Sequence, residues 1–129
     1  MAIKILDEWM RTLVAYVRSG EPDLTNRQMA ILLLVRQTCG PHTVRGLAAA
    51  LSVSKPVVTR ALNKLASLGF LRRQRDENDK RNIFVKLTDR GARFLTGFQA
   101  MIGQGGPAAP TPTTLRSIEA DPRLTRQTA

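Results

Sequence analysis

The side chains of this sequence that are best suited to chemistry are hydrogen-bond donors clustered within one stretch of ten residues. Arg60 can donate two hydrogen bonds to O6 and N7 of guanine, and Asn63 can pair with adenine. Thr59 can bond a base or a phosphate, whereas Lys55 and Lys64 are suited to phosphates. These residue types at this spacing indicate a surface that binds nucleic acid.

A helix over residues 54–68 would place these donors on a common face. At about 100° per residue, the apolar residues gather on the other face, and they are Val58, Ala61, Leu62 and Leu65. Ser54 can cap the helix start, and Pro56 lies in the first turn, where a missing N–H does no harm. Gly69 can end the helix. The predicted outward face consists of Ser54, Lys55, Pro56, Thr59, Arg60, Asn63 and Lys64.

Two helices are predicted immediately upstream of this one. Thr25 and Gln28 form a capping box, which satisfies N–H groups at the start of a helix that we expect to run to Thr38. This helix is apolar almost all round, so we expect it to be the central core helix. Gly40 suits the left-handed position after it, and Thr43 can cap a third, shorter helix.

Downstream, the sequence predicts a β-hairpin and a last helix. Phe70–Arg75 and Ile83–Leu87 are the expected strands, joined by a wholly polar loop. Thr88 or Asp89 can cap a helix that ends near Ile102. Two short helices, a hairpin and a helix follow the order of a winged helix-turn-helix, so we predict a mainly α fold with a small β-hairpin wing, of α+β class.

The chain is expected to divide into three parts. Residues 1–20 form an N-terminal amphipathic helix, and residues 24–102 form the winged helix-turn-helix. Residues 103–129 are rich in Gly, Pro, Thr and Ala, which is typical of a flexible tail.

The charge of the chain is concentrated in one segment. The 129 residues carry a formal net charge of +10. Residues 25–100 hold 14 Lys and Arg against four Asp and Glu, and therefore account for the whole excess. Such a basic segment attracts polyanions, of which nucleic acid and anionic lipid are the obvious candidates.

Several function classes are disfavoured. The longest aliphatic run, Ile31 to Val35, is far too short to span a bilayer, and no secretion signal is recognisable, so we expect a cytoplasmic protein. Cys39 stands alone, and we interpret it as a small buried apolar residue rather than a redox sensor. His42 has no potential co-ligands at metal-binding spacing. We expect no cofactor and no enzymatic activity.

An ordered set of residues resembles the MarR family of bacterial transcriptional regulators over about residues 24–95. The set comprises Thr25-x-x-Gln28; Leu47-Ala48-x-x-Leu51-x-Val53-Ser54-Lys55-Pro56-x-Val58-Thr59-Arg60-x-Leu62-x-x-Leu65-x-x-x-Gly69-Phe70-Leu71; Asp79-Lys80-Arg81; and Val85-x-Leu87-Thr88-x-x-Gly91. The resemblance implies a homodimer that binds duplex DNA sequence-specifically, with helix 54–68 in the major groove. It implies that the hairpin, over residues 72–86, is a wing on the minor groove or the backbone.

The resemblance also assigns roles within the wing. It places Arg81 at the wing-tip arginine that enters or flanks the minor groove, with Asp79 as the carboxylate that orients it. A guanidinium held in this way loses less side-chain entropy on reaching a narrow groove. The further basic residues of the predicted wing surface are Arg72, Arg73, Arg75 and Lys80.

Family members usually have long helices at both ends, which build the dimer and enclose a ligand pocket. The first helix here is short and the last is expected to stop near Ile102, which argues against a small-molecule effector. More apolar surface is present than one small core needs. We therefore expect dimerisation through Ile5, Trp9, Leu13, Phe94 and Phe98.

The leading hypothesis is a regulator, acting as a repressor that covers a promoter in the nucleoid. One alternative is a protein-interaction adaptor built on a winged helix, with Leu115 and Ile118 as anchors in the tail. Another is a nucleoid-type DNA binder without sequence preference. A steep loss of affinity for duplex DNA with rising salt would indicate phosphate contacts and disfavour the adaptor.

Overall fold

The computed structural model describes residues 2–105 of the chain. Its elements are α1 (Ala2–Arg18), α2 (Asn26–Gln37), β1 (His42–Thr43), α3 (Val44–Leu51), α4 (Lys55–Ser67), β2 (Leu71–Arg75), β3 (Ile83–Leu87) and α5 (Asp89–Gly105). This order confirms the predicted mainly helical winged helix-turn-helix. Helix α5 continues to Gly105, three residues beyond its predicted end, and residues 106–129 lie outside the described part of the chain.

The chain divides into two compact units. One unit is Pro22–Gly97, which holds α2, the helix-turn-helix, the sheet and most of α5. The other contains α1 and the part of α5 from Phe98 onward. Within this second unit, the ring edge of Tyr16 packs on Phe98 with the centroids 5.6 Å apart. None of the helices in residues 2–105 is long and apolar enough to cross a membrane.

Helix α1 has an apolar face that remains exposed among the described residues. The large apolar residues that remain exposed on it are Ile5, Leu6, Trp9, Met10, Leu13 and Val17. Trp9 is 62% exposed and Val17 77% exposed, whereas Tyr16 is buried. Leaving a contiguous apolar stripe in water is unfavourable, so this face is suited to packing against another surface.

Helix α2 begins as predicted. Thr25 Oγ1 accepts the N–H of Gln28 at 3.1 Å, while Gln28 Oε1 accepts the N–H of Thr25 at 2.9 Å. Ile31 and Leu32 are fully buried, as expected of a core helix, although Leu33 is 37% exposed. Helix α2 therefore buries one side in the core and leaves part of its apolar surface exposed.

The end of α2 differs from the expectation. Thr38 is the C-cap in an extended conformation, and its hydroxyl donates to the carbonyl of Leu34 at 2.5 Å. Gly40 does not have a positive φ. Because the C-cap is Thr38, Gly40 lies two residues beyond it and does not occupy the left-handed position that the sequence suggested.

The sheet has three strands in the order β1-β3-β2, where the sequence predicted two. The additional strand is the dipeptide before α3, with His42 opposite Val85 and Thr43 opposite Phe84. All pairs are antiparallel. Strand β1 gives β3 a hydrogen-bonded neighbour on each side, and β2 is left as an edge strand that carries arginines.

The start of α5 is locked to the end of α4 through Thr88. Its hydroxyl donates to the carbonyl of Gly69 at 2.5 Å and accepts the N–H of Gly91 at 3.0 Å. Its backbone N–H donates to the carbonyl of Phe70 at 3.1 Å. Gly69 has a φ of +78°, a conformation that glycine adopts without strain. This junction sets where the wing leaves the helix-turn-helix.

The caps of α2 and α4 make a matched pair for a stability test. Thr25→Ala removes the hydroxyl that accepts the N–H of Gln28, which is one of the two hydrogen bonds of the capping box, so we expect a loss of about 1 kcal/mol in the free energy of unfolding. Ser54→Ala removes no cap hydrogen bond, because the Ser54 side chain makes none, and should change stability by less than about 0.5 kcal/mol. Urea denaturation of the two variants measures the difference, and equal losses would contradict this assignment.

Candidate nucleic-acid interface

Helix α4 separates its two faces as its sequence predicts. Val58, Leu62 and Leu65 are fully buried, and Ala61 is nearly so. The opposite face is exposed, and its side chains are Lys55, Pro56, Thr59, Arg60, Asn63 and Lys64. Burial of the apolar face fixes the rotation of the helix, because the core excludes every other orientation. Polar side chains that can bind bases and phosphates are therefore directed to solvent together.

Ser54 occupies the predicted N-cap position, but its side chain does not cap the helix. The residue is extended, with a φ of −77° and a ψ of 158°, and its hydroxyl makes no cap hydrogen bond. The predicted capping role was therefore wrong. Ser54 is exposed at the start of the same outward face, so its hydroxyl is available to a ligand.

The turn between α3 and α4 is tightly hydrogen-bonded. Ser52 adopts a left-handed conformation with a φ of 55°, and its N–H donates to the carbonyl of Ala49 at 3.2 Å. The N–H of Val53 donates to the carbonyl of Ala48 at 3.0 Å. These bonds close the end of α3, and they fix the direction in which α4 begins.

The wing presents its arginines along an exposed edge. Only Leu71 of β2 is buried, and the strand's other residues, which include Arg72, Arg73 and Arg75, are exposed. The register places Arg72 opposite Lys86, which is also exposed. Like charges directly opposite each other destabilise a sheet, so this pair does not stabilise the wing. Lys86 is a further basic side chain of the wing, and the sequence analysis did not select it.

The wing tip is organised around Asp79. Its Oδ1 accepts the backbone N–H of Arg81 at 3.1 Å and lies 3.5 Å from Arg81 Nε. Asn82 N–H donates to the carbonyl of Asp79 at 2.9 Å, which closes the loop. The Arg81 side chain is 85% exposed, so the ion pair contributes only about 0 to 1 kcal/mol to stability. The pair places the carboxylate beside the guanidinium, which is the arrangement that the wing prediction requires. Lys80, beside it, is exposed.

A groove of about 650 Å³ runs between α3, α4 and the wing. Four cationic side chains line it, from the three different parts: Arg45 from α3, Lys55 and Arg60 from α4, and Arg81 from the wing. No acidic residue lines it. Here the fold brings Arg81 beside Lys55 and Arg60, which lie more than 20 residues earlier in the sequence.

Arg45 is the residue of this groove that the sequence analysis missed. It is exposed and lies two residues after Thr43, whose Oγ1 accepts the N–H of Gly46 at 2.9 Å and so caps α3. The available signal was a basic residue in the first turn of a helix, where a cation is unfavourable. Within residues 2–105, the Asp79–Arg81 pair is the ion pair formed, and Arg45, Lys55 and Arg60 have none.

Cys39 and His42 were the other residues considered for chemistry. Cys39 is exposed, so its interpretation as a buried apolar residue was wrong. The ring of His42 shares a hydrogen bond between Nε2 and the carbonyl of Thr38 at 3.1 Å. No group of three or more His, Cys, Asp or Glu within the described residues could hold a metal ion.

The fold and this exposed basic surface define a winged helix-turn-helix protein, and comparison with known proteins agrees. The family model described as the MarR family matches residues 24–83. The transcriptional regulator YkoM of Bacillus subtilis is 34% identical over 77 residues, which are 60% of this chain and 49% of that protein. The chain spans about half the length of the curated relatives it matches.

Solved structures of transcriptional regulators are similar to this chain. A cysteine-to-serine mutant of Escherichia coli MarR, complexed with operator DNA, is 31% identical with a TM-score of 0.57, and the match covers 74% of this chain and 73% of that one. The regulator Tm0710 of Thermotoga maritima shares the fold, with a TM-score of 0.64 at 24% identity over 79% of this chain and 68% of that one. The chain therefore belongs to the MarR family, whose members are transcriptional regulators rather than enzymes, as predicted.

Proposed function

We propose that the protein is a DNA-binding transcriptional regulator that reads duplex DNA with the outward face of α4. The observation that carries this proposal is the exposure of Thr59, Arg60 and Asn63 on one side of a helix whose other side is fully buried. Within the described part of the chain, the side chains of these three residues, which can pair with base edges, have no hydrogen-bond or ion-pair partner. The similar MarR structure was solved with operator DNA, which supports this proposal.

The proposed roles follow from side-chain chemistry. Arg60 pairs with guanine and Asn63 with adenine in the major groove, with Thr59 and Ser54 bonding a base or a phosphate. Lys55 and Lys64 contact phosphates beside the helix, and Pro56 packs in its first turn. In the wing, Arg81 reaches the minor groove while Asp79 orients it. The backbone contacts of the wing come from Arg72, Arg73, Arg75 and Lys80.

We further propose that binding represses transcription, because a protein seated on promoter DNA excludes the polymerase from the same surface. The site of action is then the nucleoid in the cytoplasm. Nothing in the groove or on α4 resembles a catalytic constellation, so occupancy of the DNA is the proposed output. This places specificity, rather than turnover, at the centre of the function.

Selection of binding sites from a random duplex library tests the proposal. We expect recovery of a defined sequence, with an affinity that exceeds the affinity for random duplexes by at least about 10³-fold. Equal affinity for selected and random duplexes would instead indicate nucleoid-type binding. Absence of duplex binding at low salt would favour the adaptor, because phosphate contacts are strongest there.

We also propose that the protein acts as a homodimer, with the exposed apolar stripe of α1 in the interface. Ile5, Trp9 and Leu13 lie on that stripe and remain exposed. Phe94, which the sequence analysis also selected, is buried and stacks on Phe70 with the centroids 4.5 Å apart, and Phe98 packs on Tyr16, so neither is part of the proposed interface. Two copies would cover the stripes mutually, and burial of apolar surface is the dominant favourable term in most protein association. Two copies of α4 would then read two half-sites, so the selected sequence should be palindromic.

Sedimentation equilibrium at micromolar concentration measures the predicted dimer. Trp9→Glu places a charge in the centre of the apolar stripe and is expected to give a monomer, because the buried carboxylate would have no partner. Lys4→Glu also introduces a carboxylate on α1 but lies on the polar side of the helix, and should leave the dimer intact. A wild-type monomer, or equal dissociation of both variants, would contradict the proposed interface.

A further inference from the structure

The groove between α3, α4 and the wing lies where a bound duplex must place its backbone. Adjacent major and minor grooves of DNA are separated by one sugar–phosphate strand. If α4 enters the major groove and Arg81 the neighbouring minor groove, that strand has to cross the space between them. This space is the groove of about 650 Å³ lined by Arg45, Lys55, Arg60 and Arg81.

We propose that Arg45 binds a phosphodiester of this intervening strand and so anchors the duplex between its two reading elements. The inference rests on the proposed function and adds a contact from α3, outside both the recognition helix and the wing. A guanidinium can hold two phosphate oxygens at once, which fixes the position of the strand as well as neutralising it. Arg45 therefore sets the register of α4 along the duplex without reading a base.

The fold itself gains nothing from a cation at Arg45. The side chain is exposed, has no ion pair within residues 2–105, and shares its groove with three other cations. It also lies in the first turn of α3, close to the positive end of the helix dipole. In the unbound protein, the neighbouring cations and the helix dipole both make the charge of Arg45 electrostatically unfavourable. An anion in the groove would offset this repulsion.

The other exposed arginines provide a matched control. Arg93 is exposed on α5 and does not line the groove. Its replacement by alanine removes the same charge and the same side chain as the replacement of Arg45. A difference between the two variants therefore reports position, and not the overall charge of the protein.

Fluorescence anisotropy with the selected duplex, over a range of salt concentrations, tests the inference. For Arg45→Ala we expect weaker binding to selected and random duplexes alike, with the slope of log K against log salt reduced by about 0.9. The ratio of wild-type to Arg45→Ala affinity should fall about 3.5-fold between 50 and 200 mM salt, which follows from that slope. Arg45→Lys should retain most of the slope, and Arg93→Ala should retain all of it.

The outcomes separate the inference from the proposed function. Wild-type affinity and slope in Arg45→Ala, or an equal change in Arg93→Ala, overturn the role of Arg45 alone. Failure of the wild-type protein to bind any duplex overturns the proposed function. An unchanged Tm in both variants shows that they remain folded, so that a difference in affinity reports a change in binding.

A free phosphate offers the same chemistry as a phosphodiester, so the source is tested separately. Inorganic phosphate is titrated calorimetrically into the wild type and into Arg45→Ala, without DNA. We expect no saturable difference at millimolar phosphate, because the proposed contact depends on a strand held at both sides. Saturable phosphate binding that requires Arg45 would assign the groove to a small anion and overturn the proposal.

Discussion

Arg60→Ala is expected to lower the affinity for the selected duplex by about 1 to 3 kcal/mol and to relax base preference at one position of each half-site. Arg60 is exposed, lines the basic groove and makes no ion pair within residues 2–105. Its removal therefore costs the folded protein little, and the loss is confined to the complex. Anisotropy against a panel of duplexes, each with one base pair replaced, measures both effects.

Lys64→Ala is the control for the Arg60 prediction. Lys64 is exposed on the same helix but is suited to phosphate, so its removal should weaken binding to every duplex in the panel by a similar factor. The two variants then differ in pattern, even where their mean affinities are close. An unchanged base preference in Arg60→Ala would remove Arg60 from the proposed reading surface.

Gly91→Ala is expected to lower the free energy of unfolding by about 3 kcal/mol, at the upper end of what overpacking costs. A Cβ at this position would lie 2.2 Å from the carbonyl oxygen of Phe70 and 2.8 Å from Leu87 Cδ1. The carbonyl accepts the N–H of Thr88, so it cannot move without breaking the junction between α4 and α5. Urea denaturation followed by circular dichroism gives the change.

Gly97→Ala is the matched control, because it lies on the same helix. A Cβ there would meet nothing within 4 Å, and alanine favours a helix over glycine by up to about 1 kcal/mol. We therefore expect opposite signs for the two substitutions. Equal effects would mean that helix propensity, and not the close approach to Phe70, controls position 91.

The parts of the fold that could be predicted are those set by near neighbours in sequence. The capping box of Thr25 and Gln28 and the closing Gly69 each depend on residues within one helical turn. The faces of α4 follow from its period, since burial of Val58 and Leu62 leaves Arg60 outward. The Asp79–Arg81 contact is equally local.

Other features depend on segments that are distant in sequence. Strand β1 has no sequence pattern of its own, and it exists because His42 and Thr43 meet β3 more than 40 residues later. From the sequence, Gly91 is only a residue of low helix propensity. The structure shows that the backbone of Phe70 leaves no room for a Cβ at this position. Cys39 was predicted to be buried but is exposed, because the burial of a residue after a helix end depends on which distant segments pack over it.

For this protein, the sequence by itself determined the order of the helices and the hairpin, the family and the residues that form the outward face of α4. The tertiary structure decided which cations stand together. Arg45, Lys55 and Arg81 line one groove only because the Thr88 junction and the three-stranded sheet bring the wing beside α3 and α4. Local propensity fixes the face of a helix, whereas a shared site between elements depends on long-range packing, which no single stretch of sequence encodes.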